Sequence, residues 1–323
     1  MEWQHVLTLL FGWLISAAAA VFVLSSLAGF LGRRWWIFDL FNHFRVQYFI
    51  GLAILAILFA AGGRFIATFV CAATAVFNLI LLLPPYLQSP SSENSQRTYR
   101  LFSANVLQQN ERYDLAIAAI EEANPDLIVL VEVNQKWMEA LKSIRQKYPY
   151  APSFLREDNY GIALFSRYPL LSSNVYNFCD VDIPTVTGTF EVDGEALTLV
   201  GTHPPPPKSS RQAHLRNQQL AAMGRWASQQ SGLLILAGDM NASPWTPFFK
   251  DLIRKSKLKD SRNGFGIQPS WPVRMPFLRV PIDQVLVSPA VNVHLGRLGP
   301  ITGSDHLPVI VDFSLSSRDG SEA

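Results

Sequence analysis

Leu233-Leu234-Ile235-Leu236-Ala237-Gly238-Asp239-Met240-Asn241 is the stretch that decides how the later two-thirds of the chain folds. A short, fully apolar run reads as a strand rather than a helix. Gly238 ends it, and a carboxylate and an amide then emerge two residues apart at its tip. Residues i and i+2 of an extended chain point the same way, so Asp239 and Asn241 can face one ligand.

Working outward, similar runs fall at 101–106, 126–132, 161–166, 185–192, 197–203, 282–287 and 307–313. Helical stretches at 111–123, 135–147, 211–229 and 247–257 lie between them, an alternation that predicts a layered α/β or α+β domain. The polar residues Asn105, Glu132, His203, Asp239, Asn241, Asp283, Asp305 and His306 each sit at a strand end or just past it. Taken singly each has a plain explanation: Asn105 caps a turn, Glu132 or Asp283 is a solvated acid, His203 starts the rigid run Pro204–Pro207. Together they describe a site built at one edge of a sheet. Acids, amides and imidazoles suit a hard divalent cation, Mg²⁺ or Mn²⁺, plus a general base. Zinc more often recruits closely spaced Cys and His, which this chain lacks.

The first quarter is a different material. Of the 323 residues only 16% are charged, against about 25% in ordinary soluble domains. Residues 1–90 hold just Glu2, Arg33, Arg34, Asp39, Arg45 and Arg64. The runs 6–32, 48–63 and 65–83 carry no charge, and together predict three transmembrane helices. A signal peptide does not fit, because the first run is too long and lacks a basic start. Arg33-Arg34-Trp35-Trp36-Ile37-Phe38-Asp39 through Phe44-Arg45 reads as an interfacial connector with rings at the headgroups and cations toward water. Counting three Arg there against Arg64 in the next connector favours the cytoplasm for the C-terminal part, by two charges. Residues 1–87 are thus expected to be a membrane domain, 88–96 a Ser-rich linker, 97–315 the catalytic domain and 316–323 a tail.

The net charge of +2 belongs to the first 90 residues, and the remainder balances to zero. That weighs against a general nucleic-acid binder, which normally shows a basic footprint. Cys71 and Cys179 lie in different environments, so no intramolecular disulfide is expected.

Seven segments in order resemble the endonuclease/exonuclease/phosphatase (DNase I-like) superfamily. They are Ser103-Ala104-Asn105-Val106, Leu130-Val131-Glu132-Val133, Tyr160-Gly161-Ile162-Ala163, Gly201-Thr202-His203, Gly238-Asp239-Met240-Asn241, Pro281-Ile282-Asp283-Gln284-Val285-Leu286 and Gly303-Ser304-Asp305-His306. The resemblance implies a four-layer sandwich of two mixed β-sheets flanked by helices, with the site at one edge of both sheets. It implies metal-dependent hydrolysis of phosphate esters by in-line attack of water. Glu132 would be the main metal ligand, with Asn105 and Asp305 completing or neighbouring that site. His306 would be the general base, oriented by Asp283. Asp239 and Asn241 would hold the phosphoryl oxygens or the attacking water, and His203 would steady charge on the scissile phosphate. Met240 departs mildly from a larger apolar residue that is frequent in the family.

The shared motifs do not choose a substrate. A bilayer tether raises the effective concentration of membrane substrates, which favours a phosphate ester of a lipid or lipid-linked kind. The alternatives are a membrane-tethered DNA or RNA nuclease and a catalytically inactive scaffold. For the nuclease, Arg211, His214 and Arg216, or residues 250–259, would line a groove, against the plainer reading of a solvated helix face. The resemblance also implies a bacterial cell membrane with the domain on its outer face, against the charge count.

Overall fold

Strand residues 127–131 and 233–239 are buried throughout, so each belongs in the middle of a sheet covered on both faces. The computed structural model describes residues 2–87 and 97–316 and arranges the C-terminal part around these strands. The expected linker at 88–96 and most of the expected tail, 317–323, lie outside the described residues.

By packing, the chain divides into two compact units, Met1–Pro84 with Trp245–Pro247, and Pro85–Pro244 with Phe248–Ala323. The first contains α1 (Glu2–Ala28), α2 (Trp36–Leu40), α3 (Arg45–Ala61) and α4 (Phe65–Leu82). A short helix, α5 (Pro84–Leu87), follows. Three segments, Trp3–Leu31, Trp36–Ala61 and Phe65–Leu82, are long and apolar enough to cross a membrane. Most of their outward side chains are apolar, such as Leu14, Ile57 and Ile66.

The connector between the first two spans departs from expectation. Arg33 and Arg34 are exposed, but Arg45 is 1% exposed. Its guanidinium donates to the Ser26 carbonyl at 2.8 Å, Asn42 Oδ1 at 2.5 Å and Asn78 Oδ1 at 3.3 Å. Asn42 in turn donates to the Gly29 carbonyl at 2.8 Å. A cation within reach of backbone and amide oxygens replaces its hydration shell with protein dipoles and leaves the water. With Arg45 inside the unit, the connector keeps two Arg against one, so the charge vote on orientation shrinks.

The second unit runs β1 (Tyr99–Asn105), α6 (Tyr113–Ala123), β2 (Leu127–Val131), α7 (Gln135–Ala140), β3 (Ser153–Phe154), β4 (Ile162–Ser166), β5 (Leu170–Asn177), β6 (Pro184–Val192), β7 (Glu195–Thr202), α8 (Ser210–Ser228), β8 (Leu233–Asp239), α9 (Pro247–Ser256), β9 (Lys259–Asp260), β10 (Asp283–Val287), β11 (Val291–Leu298) and β12 (Val309–Leu315). One sheet has the order β11-β12-β1-β2-β4-β3 and the other β5-β6-β7-β8-β10-β9. The pairs β1–β2 and β7–β8 are parallel, each joined through a crossover helix, and the remaining pairs are antiparallel. Leu101, Val129, Leu164, Leu199, Ile235, Val285 and Phe313 meet between the sheets. Ala116, Ile120 and Trp137 cover the outer face of the first sheet, and Leu220, Met223, Phe249 and Leu252 that of the second. This is the expected α/β/β/α layering.

Eight expected strands and four helices are present, with shifted ends. The helix expected over 135–147 is α only to Ala140 and finishes as a 3₁₀ turn, Leu141–Ile144. The strands not foreseen, β3, β5, β9 and β11, are the four sheet edges. An edge strand buries little: most of β5 is exposed, and β11 carries a register shift between Val293 and Leu295. Neither leaves the apolar pattern from which strands are read.

Candidate active site

Chain direction explains why the polar tips converge. The C-terminal ends of β1, β2, β7 and β8 lie at one edge, and antiparallel β10 and β12 bring their N-terminal ends to it, with Asp283 paired opposite Asp239. Two glycines permit the close approach. Gly238 has φ +141°, and a Cβ there would lie 2.0 Å from the Thr202 carbonyl, so only glycine lets Asp239 come beside His203. At Gly161 a Cβ would lie 1.8 Å from the carbonyl of Val133, next to Glu132. Glu132 and Asn241 themselves adopt left-handed φ of +66° and +48°. Such backbone strain in non-glycine residues gathers at functional sites.

All eight expected residues join one network. Asn105 Nδ2 donates to Glu132 Oε1 at 2.9 Å and to Asp239 Oδ2 at 3.2 Å, linking the two sheets. The backbone N–H of Gln108 donates to the other Glu132 oxygen at 3.2 Å. His203 Nδ1 lies 2.9 Å from the Asn159 carbonyl, which can only accept, so this nitrogen carries a proton. Its Nε2 faces Asp239 Oδ2 at 3.4 Å and Glu132 Oε1 at 3.9 Å. His306 Nδ1 lies 2.8 Å from Asp283 Oδ2, and its Nε2 faces Asp239 at 3.7 Å and Asp305 at 3.9 Å. The Asn241 backbone N–H donates to Asp239 Oδ1 at 2.9 Å, and its side-chain Nδ2 donates to the Pro204 carbonyl at 2.9 Å. Asp305 is the most open of the set, its side chain 39% exposed.

Burial alone would lower the His306 pKa, but the charges of Asp283 and Asp239 outweigh it and push it up to about 10. Burial opposes the charged form of His203 too, and the hydrogen bond to Asp239 reverses the sign, leaving it raised. Asp239 is held below the usual carboxylate range: burial works against this, but the charge of His306 and the hydrogen bond from His203 prevail.

The donor chemistry fits a hard divalent cation. Glu132, Asp239, Asp283 and Asp305 crowd four carboxylates together, and among the described residues Asp239, Asp283 and His306 bring ligand atoms within 4.8 Å of one another. This trio is not the expected ligand set of Glu132, Asn105 and Asp305. Asn105 and Glu132 are directly bonded, whereas Asp305 joins through His306. Oxygen-rich groups of this kind suit Mg²⁺ or Mn²⁺.

Several contributors were not read from the sequence. Ser270 Oγ donates to Asp283 Oδ2 at 2.5 Å, and Trp271 Nε1 to Asp305 Oδ2 at 2.9 Å. They lie in a connection with no periodicity, and a Trp between Ser and Pro is the only signal it offers. Arg216, weighed above as a groove or surface residue, is fully buried and donates to the Asn241 carbonyl at 3.0 Å. It supports the site from beneath, while Arg211 and His214 remain exposed.

The fold and site define a phosphoesterase-type sandwich, and the comparisons agree. The model of the endonuclease/exonuclease/phosphatase family matches residues 100–306, and the chain belongs to that family of enzymes hydrolysing phosphate ester bonds. No curated protein matches the sequence. Among solved structures, an endonuclease/exonuclease/phosphatase from Bacteroides vulgatus is 19% identical, covering 68% of this chain and 100% of its own, with a TM-score of 0.58. TDP2 of D. rerio complexed with single strand DNA product is 17% identical, covering 67% and 99%, with a TM-score of 0.56. Sphingomyelinase C from Streptomyces griseocarneus is also 17% identical, with the same coverages and a TM-score of 0.52.

Proposed function

We propose that the C-terminal unit hydrolyses a phosphate ester of a lipid or lipid-linked molecule at the membrane that the N-terminal helices span. The observation that carries this reading is the His306–Asp283 pair aimed at Asp239, on a chain that also has three membrane-length apolar helices. His306 Nε2 takes a proton from water, and the Asp283 carboxylate fixes the ring and stabilises the resulting imidazolium. The water oxygen bonds to phosphorus as the ester oxygen leaves in line; the departing oxygen takes a proton from solvent to become an alcohol, and His306 then returns its own proton to solvent. Asp239 and Asn241 hold the water and phosphoryl oxygens, and His203, its pKa raised by the hydrogen bond to Asp239, offsets charge developing on the phosphate. Glu132, with Asn105 and Asp305, would hold Mg²⁺ or Mn²⁺, which when bound neutralises phosphoryl charge and lowers the pKa of water.

Full-length protein in detergent with Mg²⁺, offered lipid phosphates and plasmid DNA in parallel, tests the substrate class. Cleavage of the lipid esters supports the reading, and efficient DNA nicking with untouched lipids would favour the nuclease. For location, the proposal is a bacterial cell membrane with the catalytic unit outside the cytoplasm. A C-terminal phosphatase fusion should be active there and a cytoplasmic reporter silent.

A further inference from the structure

The long connection between β9 and β10 has a base in the site and a tip outside it. At the base, Ser270 and Trp271 hold Asp283 and Asp305, and Val273 N–H donates to the Asp305 carbonyl at 2.8 Å. Arg279 closes the neck by donating to the Val273 carbonyl at 2.7 Å. Beyond the neck, Arg274-Met275-Pro276-Phe277-Leu278 presents its apolar side chains to solvent, with Met275 45%, Phe277 76% and Leu278 37% exposed. Ile301, 58% exposed, sits in the loop that delivers Asp305. The other large apolar side chains exposed on this unit among its described residues past α5 are Leu171, Val175 and Leu295, on edge strands. Exposed apolar surface is thus concentrated beside the site, where a monomer in water would avoid it.

The start of the same connection indicates what covers the tip. Gly264 N–H donates to the Pro85 carbonyl at 2.8 Å, and Gly266 N–H to the same oxygen at 3.3 Å. Pro85 is three residues past Leu82, the end of α4, and three residues span at most about 10 Å. The connection is thus bonded to the segment that follows α4 in the chain. A short apolar cluster flanked by an exposed Arg is the composition that enters the boundary between acyl chains and headgroups.

We propose that residues 274–278 form an insertion loop. Met275, Phe277 and Leu278 enter the bilayer surface and Arg274 meets lipid phosphate, so that the Asp305–His306 edge opens to substrate held in the membrane. This rests on the phosphate-ester reading of the site and extends it to where the substrate enters.

The test uses the full chain with Cys71→Ala and Cys179→Ser, carrying Phe277→Cys labelled with an environment-sensitive fluorophore, in phosphatidylcholine–phosphatidylglycerol nanodiscs. The label should emit to the blue and be quenched by doxyl lipids. The same label through Ala196→Cys, at the opposite end of β7 from His203, should remain in water. A label at 277 that behaves like that at 196 overturns the proposal, as does burial that appears only on raising protein concentration in lipid-free micelles, the mark of a second copy. As a second measurement, the combined Met275→Ser, Phe277→Ser and Leu278→Ser variant should lose about tenfold in cleavage of bilayer-held esters. It should cleave bis(p-nitrophenyl) phosphate at the unaltered rate, and an equal loss on both substrates overturns the proposal. If the unaltered protein cleaves neither, the hydrolase reading has failed, and the label at 277 still decides the loop.

Discussion

Asp283 receives two hydrogen bonds on one oxygen, from His306 Nδ1 at 2.8 Å and from Ser270 Oγ at 2.5 Å. The imidazole is thereby held with Nε2 toward Asp239, and the carboxylate is itself held by a residue outside the β10 strand. Asp283→Asn would present an amide donor to Nδ1 and favour the wrong tautomer. We expect kcat to fall about 10³–10⁴-fold, by analogy with other His–carboxylate pairs. Ser270→Ala leaves the pair intact but unsupported and should cost about tenfold. Steady-state kinetics on a soluble ester separates them, and equal losses would contradict this order.

The acid–base balance of the metal-free site gives a second expectation. His306 is pushed up to about 10 from 6.5, so its stabilising interactions are complete below about pH 6.5 and are lost as pH rises through 10. Asp239 has the opposite sign: its contribution exists above the ordinary carboxylate range and disappears as pH falls through its lowered pKa. The Tm of EDTA-treated protein should therefore decline at both ends. His306→Gln should shrink both declines, leaving the alkaline part that His203 supplies and the acidic part that its bond to Asp239 supplies.

Cation binding should act on the same protons. Asp305 is both an expected ligand and one of the carboxylates that hold the proton on His306, so Mg²⁺ binding at neutral pH should release protons. Calorimetry in buffers of different ionisation heat reads their number, and a value of zero would contradict the shared site. Chelation should abolish hydrolysis, and Glu132→Gln should raise the Mg²⁺ concentration needed for half-maximal rate by about 10–100-fold.

The glycine contacts test how closely the strand tips must approach. Gly238→Ala would force a Cβ to 2.0 Å from the Thr202 carbonyl at a φ of +141°, and Gly161→Ala one to 1.8 Å from Val133. Each should cost about 2–5 kcal/mol of stability. Denaturant melts check this, and a neutral Gly238→Ala would mean the tips can separate freely.

These glycines also mark what the sequence could convey. Strands β2 and β8 were legible because they are buried on both faces and carry unbroken apolar runs. The site residues were legible because each follows such a run. What no run discloses is which tip meets which: the pairing of His306 with Asp283, across 23 positions, is set by the antiparallel register of β10 and β12 against their neighbours. Edge strands β5 and β11 were hidden because solvent permits polar residues on them. Ser270 and Trp271 were hidden for a different reason, since a loop residue that holds a catalytic one leaves no periodic trace. Arg216 and Arg45 share a third reason: a cation looks solvated until the carbonyls and amides around it are known.

Arg45 supplies the last expectation. It binds Ser26 of α1, Asn42 of the connector and Asn78 of α4 from its own position on α3, so one side chain ties the three membrane-length segments together. In lipid there is no hydrophobic force between helices, and polar contacts of this kind fix their register. Arg45→Leu would leave Asn42 and Asn78 without the cation that both contact. Leaving a buried polar partner unsatisfied costs about 1–3 kcal/mol for each group. Lysine offers a single nitrogen where two Nη atoms reach different partners, so Arg45→Lys should restore less than half of that loss. The measurement is unfolding of the helical signal by SDS in mixed micelles. Protein that remains folded should still cleave a soluble ester normally, because the catalytic unit has its own core. An Arg45→Leu variant as stable as the unaltered chain would mean that apolar packing alone sets the helix register.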